Sequence, residues 1–595
     1  MSNKNNNEIA EYEEYEALDY QLADLLQQLN HKKNHLLRCM TLEISKQTRK
    51  GLIALPCSVK QENELLTNKV VGKNKDYKPL ILDKGYLYFR RYWLYQQRLA
   101  EQINSRLSFE NTKKEKWIKE RLEYYFSQDN SNAKELNWQQ AAAALALVSP
   151  FLIISGGPGT GKTSTITRIL ALLIEQHQLT KPQQALRISL AAPTGKAAMR
   201  MSESIRESIQ REGDKFNAEI KEQLSQDATT LHRLLGYIPN SIEFRFNKQN
   251  PLASDIVIID EASMIDLALM TKLFEAIPKQ AKIILLGDKD QLSSVETGSV
   301  FTDLCALTNN QYDANRVDYL QKTTQPHLEK NQLIIKDQSA PIDNHIICLL
   351  KSWRFDNSSG IGKLSTAVNQ GNTTEALAIL KNKKFPDVGL LLPTKFTIKQ
   401  LLAPWQHYLQ TLKSEASVDE LFTAFNHFRI LSALRKGLNG STYLNTQLEK
   451  QFSQQKQLYT GKRWYHGRPI MITENSYRIG LFNGDIGITL LDNKGEAKVW
   501  FQTNEGLKAF SPVRLPQHET AWVMTIHKSQ GSEFERVLMI LPTEDTPILS
   551  KQLIYTGITR AKKQLKIISD TAILRLGIER KILQATQIRL VLNPN

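Results

Sequence analysis

The stretch SGGPGTGKTSTITRIL, residues 155–170, predicts a loop that holds the phosphates of a nucleotide. Residues 156–163 fit the pattern G-x-x-x-x-G-K-[ST], and the aliphatic run FLIIS (151–155) precedes them. Ile166 and Ile169 follow at helical spacing. In such a strand–loop–helix unit, the loop N–H groups and the start of the helix surround the phosphate oxygens. A chance match to the motif would not be expected to have a strand before it and a helix after it. The residues expected at the phosphates are Gly156, Gly157, Pro158, Gly159, Thr160, Gly161, Lys162 and Thr163.

Further aliphatic runs predict strands buried on both faces, as in parallel sheets covered by helices. These runs are ISLAAP (188–193), DIVIIDE (255–261), KIILLGD (282–288) and VLMILP (537–542). Between 465 and 515, short alternating runs separated by Asn-Gly and Asp-Asn-Lys-Gly turns predict antiparallel hairpins. The predicted fold class is therefore α/β, with two parallel sheets and a small β-barrel inserted in the second.

The same patterns predict three domains. Residues 1–115 contain no nucleotide motif and are expected to be mostly helical, with one helix over 86–103 that has a buried face and a basic face. Residues 116–345 form the first α/β domain, and residues 346–595 form the second, which contains the inserted barrel.

Composition indicates a polyanionic partner. The 595 residues carry 77 Lys+Arg against 61 Asp+Glu, for a net charge of +16, and nucleic acid is the first candidate, although a merely basic protein has the same composition. Four cysteines without a CxxC pair argue against a disulfide framework or a zinc site. We expect a soluble, cytoplasmic protein without a membrane segment, since the N-terminus lacks an apolar signal core and no apolar run reaches about 18 residues.

Residues 238–252 predict a short β-hairpin that rises from the first α/β domain. Ile242, Phe244 and Phe246 alternate with polar residues, and the turn-forming Pro-Asn-Ser comes before them. Exposed aromatic rings there can stack on the bases of a nucleic acid. The alternative is that the phenylalanines pack inward and support the domain.

Acidic and polar residues after the loop predict hydrolysis of ATP with Mg²⁺. Lys162 is expected at the β and γ phosphates, and Thr163 and Asp260 are expected as Mg²⁺ ligands. Glu261 is placed to orient or deprotonate the attacking water. Gln291, on the loop after a strand, can contact the γ-phosphate. An acidic pair at a strand end can also simply begin a turn.

The remaining half of such a site is expected from the second α/β domain. Arg354 in KSWRF and Arg560 in IYTGITRAKK are candidates to stabilise charge on the transferring phosphoryl group. The alternative for any single arginine is a surface charge. Only the local patterns favour these two.

The order of motifs resembles the superfamily 1 DNA helicases, and within them the alpha subunits of exodeoxyribonuclease V, the RecD family. The motifs are NWQQAAA, GGPGTGKT, APTGKAA, ATTLHRLLG, IIDEAS, GDKDQL, SWRF, TIHKSQGSEF and YTGITRAKK, and they run from about residue 85 to 570. The resemblance implies two RecA-like domains with ATP between them and single-stranded DNA across their top.

The resemblance also implies roles for individual residues. Gln139 contacts the adenine, Trp353 stacks on it, and Arg354 and Arg560 reach the γ-phosphate. The residues implied at the DNA strand are Pro193, Thr194, Lys196, Thr230, His232, Thr525, His527 and Lys528. Gln530 and Glu533 are implied to couple the DNA and ATP sites. Hydroxyls, lysines and loop N–H groups suit phosphate oxygens and carry no sequence information.

The activity implied by the resemblance is 5′-to-3′ movement on DNA within a heterotrimer. A RecB-like subunit would supply a second helicase and the nuclease, and a RecC-like subunit would hold both, in the repair of double-strand breaks by recombination. The short region before the first motif favours this subunit form over a free-standing helicase. The sequence has no second cluster of Asp, Glu and Lys that would suggest two-metal cleavage, which argues against an intrinsic nuclease. The intact ATP motifs argue against an ATPase-inactive structural subunit.

Overall fold

The computed structural model places most of the chain. The described residues are 15–108, 114–127, 136–293, 297–306, 309–324, 334–335, 340–354, 359–395, 397–414, 416–476, 478–503, 506–580 and 585–593.

The N-terminal domain combines helices with a four-stranded sheet of order β1-β4-β3-β2. Its elements are α1 (Ala17–Asn30), α2 (His35–Arg49), β1 (Ala54–Pro56), α3 (Val59–Leu65), β2 (Val71–Gly72), β3 (Leu80–Asp83), β4 (Tyr86–Phe89) and α4 (Arg90–Asn104). The next helix, α5 (Glu115–Phe126), packs into the core of the first α/β domain. The prediction of a mostly helical domain missed this sheet. The prediction of one helix over 86–103 is wrong at its start, because Lys84 and Gly85 both have positive φ and form the tight turn that returns the chain as β4.

The first α/β domain is built on a six-stranded parallel sheet of order β12-β5-β9-β8-β6-β7. The strands are β5 (Phe151–Gly156), β6 (Ile188–Ala192), β7 (Thr229–Thr230), β8 (Ile256–Ile259), β9 (Lys282–Gly287) and β12 (Ile346–Leu349), with a small parallel pair β10 (Gln311–Tyr312) and β11 (Ile334–Ile335) beside it. The helices are α6 (Trp138–Val148), α7 (Lys162–Thr180), α8 (Gly195–Arg211), α9 (Ala218–Leu224), α10 (Leu231–Leu235), α11 (Leu267–Ala276), α12 (Val300–Cys305) and α13 (Ala314–Thr323).

Both faces of this sheet are buried. Leu152 and Ile154 of β5 pack into one hydrophobic cluster, whereas Phe151 and Ile153 of the same strand pack into another. The alternation explains why the strand has no polar residue facing solvent, as the continuous aliphatic run predicted.

The boundary predicted at residue 346 is wrong. Strand β12, Ile346–Leu349, pairs in parallel with β5 and closes the edge of the first sheet. The second domain therefore begins after this strand. An aliphatic run predicts a buried strand but not the sheet that the strand joins. The pattern of residues therefore could not place the boundary after β12.

The second α/β domain has a five-stranded parallel sheet of order β13-β22-β21-β14-β20. Its strands are β13 (Val388–Leu391), β14 (Phe428–Ser432), β20 (Val523–Thr525), β21 (Phe534–Ile540) and β22 (Ala561–Ile568). Its helices are α14 (Gly360–Asn369), α15 (Thr373–Lys381), α16 (Gln406–Lys413), α17 (Val418–Asn426), α18 (Ser441–Gln454), α19 (Lys551–Ile558) and α20 (Thr571–Glu579). The last helix, α21 (Ile588–Leu592), packs instead into the core beside the first sheet, against α4.

An antiparallel sheet of order β18-β17-β16-β15-β19 is inserted between α18 and β20. Its strands are β15 (Pro469–Ile472), β16 (Ile486–Leu491), β17 (Ala497–Thr503), β18 (Gly506–Phe510) and β19 (His518–Thr520). The predicted α/β fold class is confirmed, with two parallel sheets covered by helices and antiparallel hairpins inserted in the second domain. In place of the predicted barrel, these hairpins form a five-stranded sheet with β18 and β19 at opposite edges. Among the described helices, none has the length and apolar character needed to cross a bilayer.

The segment 238–252 does not form the predicted hairpin strands. Its pairing is limited to one isolated bridge between Tyr237 and Phe244. Phe244 and Phe246 are half-buried against the core of the first domain, and Ile242 is 75% exposed. The alternation that predicted a strand therefore comes from a compact loop whose aromatic residues pack inward.

Candidate ATP and DNA site

The phosphate loop joins β5 to α7 and has the backbone of a cradle. Gly159 and Gly161 adopt positive φ values of 77° and 80°. A Cβ at either position would collide with a neighbouring side chain, Arg354 at Gly159 and Gln139 at Gly161. Lys162 Nζ donates to the carbonyl oxygens of Gly156 (2.6 Å) and Gly157 (3.3 Å). The loop is therefore preformed, with its cation lying over the space that phosphates would take.

Two residues from elsewhere in the chain pack onto the phosphate loop: Gln139, near the start of α6, and Trp353, after β12. Gln139 is buried, and its Nε2 donates to the carbonyl of Thr160 at 2.8 Å. The Trp353 N–H donates to the carbonyl of Gly159 at 2.7 Å, and the indole ring is 51% exposed. Both residues predicted at the adenine thus lie beside the loop.

The predicted acidic pair follows β8. Asp260 accepts a hydrogen bond from the Glu261 N–H at 2.8 Å, and Glu261 has a left-handed φ of 51°, which is uncommon for a residue with a side chain. Burial and then the neighbouring Glu261 raise the pKa of Asp260, while Lys162 lowers it. A carboxylate held in this way gains from a nearby cation, so the pair suits a site that binds Mg²⁺.

Gln291 lies at the contact between the two α/β domains. It is buried, and its Nε2 donates to Asp288 Oδ2 at 2.9 Å. Tyr555, from the second domain, donates its hydroxyl to the same oxygen at 3.1 Å. A Cβ at Gly157 would lie 2.9 Å from that hydroxyl, so Tyr555 also touches the phosphate loop. The sequence analysis did not name Asp288 or Tyr555 as site residues, although Asp288 belongs to the motif GDKDQL and Tyr555 to the motif YTGITR.

The two predicted arginines are held differently. Arg354 pairs with Glu533 at 2.6 Å, with its Cβ against the phosphate loop. Arg560 is buried and donates to the carbonyls of Thr556 and Ser532, each at 3.1 Å, so its guanidinium is fixed within the second domain. Arg354 is therefore the one that lies against the phosphate loop, and Arg560 supports the segment that carries Tyr555.

Glu533 is at the centre of a cluster of charges. Burial alone would raise its pKa, but four cations lower it. They are Arg354, Arg200, Arg560 and Lys562. Arg200 comes from α8 of the first domain and was not predicted; its spacing of four residues after Lys196 on the same helix was the available signal.

On the first domain, the predicted DNA residues surround two helix starts. Thr194 caps α8, since its side chain accepts from the Ala197 N–H at 3.2 Å. Thr230 is buried and caps α10 by accepting from the Arg233 N–H at 3.4 Å. His232 lies with its ring 5.7 Å from that of Phe244. Thr230 is thus occupied in supporting the helix, and Pro193, Thr194 and Lys196 are half-buried at the start of α8.

On the second domain, the predicted DNA residues follow β20. Thr525 Oγ1 accepts from the Lys528 N–H at 3.3 Å, and Lys528 Nζ pairs with Glu519 at 2.9 Å. Burial lowers the pKa of His527. Gln530 instead reaches across the domain contact, where its Nε2 donates to the carbonyl of Leu292 at 2.8 Å. Leu292, which follows Gln291, is therefore bonded to the segment that carries the predicted DNA residues.

Comparison with known proteins identifies the family. Residues 139–297 match the family described as an AAA domain, and residues 520–568 match the UvrD-like helicase C-terminal domain. The RecD subunit of the RecBCD enzyme from Haemophilus influenzae is 37% identical over 532 residues, which cover 85% of this chain and 80% of that protein.

The chain belongs to the RecD family.

A second RecD relative, from Buchnera aphidicola subsp. Acyrthosiphon pisum, is 34% identical and covers 88% of this chain and 86% of its own length. The ATP-dependent RecD2 DNA helicase of Deinococcus radiodurans is 28% identical, and the match covers 48% of that longer protein. The structure of Bacteroides Pif1 bound to single-stranded DNA superposes with a TM-score of 0.36 at 16% identity, over 77% of this chain and 94% of that one, which is too low to carry a conclusion.

Proposed function

We propose that this RecD-family chain is the ATP-dependent 5′-to-3′ DNA helicase subunit of a RecBCD-type exodeoxyribonuclease V, acting at DNA ends in recombinational repair. The observation that carries the proposal is the contact between the two α/β domains. There Gln530 and Tyr555 of the second domain meet Leu292 and Asp288 of the first. One set of residues thus joins the ATP loop to the segment that begins at Thr525.

The first domain supplies most of the groups that handle the nucleotide. Lys162 lies on loop carbonyls and can exchange them for β and γ phosphate oxygens. Thr163 and Asp260 would hold Mg²⁺, and Glu261 would orient the attacking water. Bound Mg-ATP supplies the phosphoryl group whose transfer to water releases the free energy for movement.

The second domain adds an arginine to the site. Arg354 stands against the phosphate loop but is paired with Glu533. Release of that pair would let the guanidinium stabilise charge on the transferring phosphoryl group. Glu533 lies three residues after Gln530, so a movement of the DNA-facing segment would move Glu533 and could break its ion pair with Arg354.

Assembly with RecB-like and RecC-like subunits is supported by an apolar face on α1. Leu18, Leu25 and Leu29 are 59%, 49% and 49% exposed and share one side of the helix. Such a face suits a groove on a partner protein. The matched relatives are named as RecBCD subunits, and a partner would cover these leucines.

The ATP half of the proposal is tested by Lys162→Gln, with Lys181→Gln at the exposed end of the same helix as control. Single-stranded DNA should stimulate hydrolysis by wild type and by the control. Lys162→Gln should lower the stimulated rate about 100-fold or more, because a charge on the phosphates is lost. Wild-type hydrolysis by Lys162→Gln would show that the site is misassigned, and no hydrolysis by wild type would favour a structural subunit.

The assembly half is tested by Leu25→Asp with Leu29→Asp. The pair should abolish co-purification with the other two subunits while DNA-stimulated hydrolysis remains. Val59→Asp, on the exposed side of α3, is the matched control. Undiminished co-purification of the double variant would place the docking surface elsewhere, and unwinding of DNA by the isolated wild-type chain at the rate of the complex would favour a free-standing helicase.

A further inference from the structure

A turn of the inserted sheet lies against the first domain. The segment between β15 and β16 ends in a turn where the Phe482 N–H donates to Asp485 Oδ2 at 2.7 Å. The Asp485 N–H donates back to the carbonyl of Phe482 at 3.0 Å. Gly480 and Gly484 have φ values of 70° and 95°. These bonds fix the direction in which the Phe482 side chain leaves the turn.

Phe482 sits on the start of α8. A Cβ at Gly195 would lie 2.9 Å from two ring atoms of Phe482 and 3.0 Å from its Cβ. The ring therefore lies directly on the glycine backbone, which is one reason that position has no side chain. Gly195 is the residue between Thr194 and Lys196, both predicted at DNA.

The same turn of α8 is approached by the second domain from another direction. A Cβ at Gly531 would lie 3.9 Å from Ala197 Cβ. Gly531 follows Gln530 in the segment that begins at Thr525. The start of α8 is therefore bounded by Phe482 of the inserted sheet and by the DNA-facing segment of the second domain.

Charges accompany this contact. Burial, with Arg200 and Arg429 nearby, lowers the pKa of Lys196 to about 7, and Asp485 acts in the opposite direction. Burial raises the pKa of Asp485 to about 6, against the effects of the Phe482 N–H and Lys196. An acid and a base on different domains thus influence each other electrostatically near the phenylalanine.

We propose that Phe482, held by Asp485, closes the DNA groove into a channel by seating the inserted sheet on Gly195. The proposal rests on the proposed function, in which the strand crosses the start of α8. Contacts to phosphates alone weaken steeply with salt and let a strand leave sideways. A wall that closes over the strand prevents this while leaving the strand able to slide along its own axis.

The test is a disulfide between positions 195 and 482 in the full chain, Gly195→Cys with Phe482→Cys. Bridged cysteines hold their Cβ atoms about 3.5–4.5 Å apart, so a small relaxation from 3.0 Å admits the bond. Removal of the ring makes room for the new side chain at 195. The reduced form of the same protein is the control, and Phe482→Cys alone reports bonds to the native cysteines.

Circular and linear single-stranded DNA distinguish a channel from a groove. Protein loaded on DNA and then oxidised should stay on circular DNA in high salt and slide off linear DNA; reduced protein should leave both. Protein oxidised before loading should fail to load on circles. Equal release from circles and linear strands, loading of oxidised protein on circles, or failure of the disulfide to form would each overturn the channel. Failure of the reduced protein to bind any single strand would instead contradict the proposed function.

Discussion

Lys196 is a single side chain whose charge depends on two domains. It begins α8 of the first domain, yet the groups that set its pKa include Arg429 and Asp485 of the second. Burial disfavours the ammonium, so the pKa falls to about 7 from an ordinary value near 10.5. Only the protonated form of this lysine attracts a phosphate, and at neutral pH that form is a fraction of the total.

DNA affinity should therefore fall as pH rises above 7. A bound phosphate favours the ammonium form of Lys196 and raises its pKa. Above the pKa of Lys196 in the DNA-free protein, binding therefore takes up a proton, and the affinity falls by up to about tenfold per pH unit. Lys196→Arg stays protonated and should give a flat profile. Binding of a fluorescent single strand at constant ionic strength from pH 6 to 9 measures this, and identical profiles for the two proteins would contradict it.

Glu533 should restrain hydrolysis in the absence of DNA. It holds Arg354 in an ion pair beside the phosphate loop. Glu533→Gln should raise the DNA-free rate and reduce the ratio of stimulated to basal hydrolysis. Glu535→Gln removes pairs with Lys563 and His427, away from the phosphate loop, and is the control. A lower DNA-free rate in Glu533→Gln would mean that the pair instead places Arg354 for reaction.

At the scale of the element, the loop over 238–252 shows how similar patterns serve different structures. Its alternation suits a strand, but Phe244 and Phe246 pack on the first domain and Lys272 Nζ donates to the carbonyl of Ile242. These contacts hold the loop as a support. Its exposed residues, among them Ile238 (40%) and Ile242 (75%), remain open for contact with duplex DNA.

Phe244→Ala should therefore act through stability. Loss of a half-buried ring should lower the free energy of unfolding by about 1–2 kcal/mol and reduce all activities together near the melting temperature. Ile242→Ala should leave stability unchanged. Thermal melting, hydrolysis and unwinding are measured on both. Loss of unwinding alone in Phe244→Ala, at unchanged stability, would instead indicate that the rings help to separate the base pairs ahead of the motor.

At the scale of the whole molecule, the end of the described chain returns to its beginning. Helix α21 packs against α4, and Asp303 of the first domain accepts from the Thr586 N–H at 2.6 Å and hydroxyl at 2.7 Å. The Ile53 N–H donates to the carbonyl of Ala585 at 2.9 Å. The N-terminal domain is thus joined to the first α/β domain through residues that follow the second.

Leu592→Asp should loosen this junction. Leu592 is buried, and a carboxylate there should cost about 3 kcal/mol. Faster hydrogen exchange in α4 and a lower melting temperature are the expected results. Leu590→Asp makes the same change on the exposed side of α21 and should have little effect. Equal behaviour of the two variants would show that the helix is not needed for the junction.

The sequence by itself determined what depends on neighbours within a few residues. The phosphate loop, the acidic pair at 260–261 and the buried strands β5, β6, β8, β9 and β21 were readable because each needs a fixed local order of residue types. The tertiary structure decided the rest. Strand β12 joins the first sheet, Gln530 bonds to Leu292 and Phe482 covers Gly195, each through a partner that lies near in space but about 190 to 290 residues away along the chain. Such pairings are fixed by packing and by shared hydrogen bonds, and no local pattern of residues specifies them.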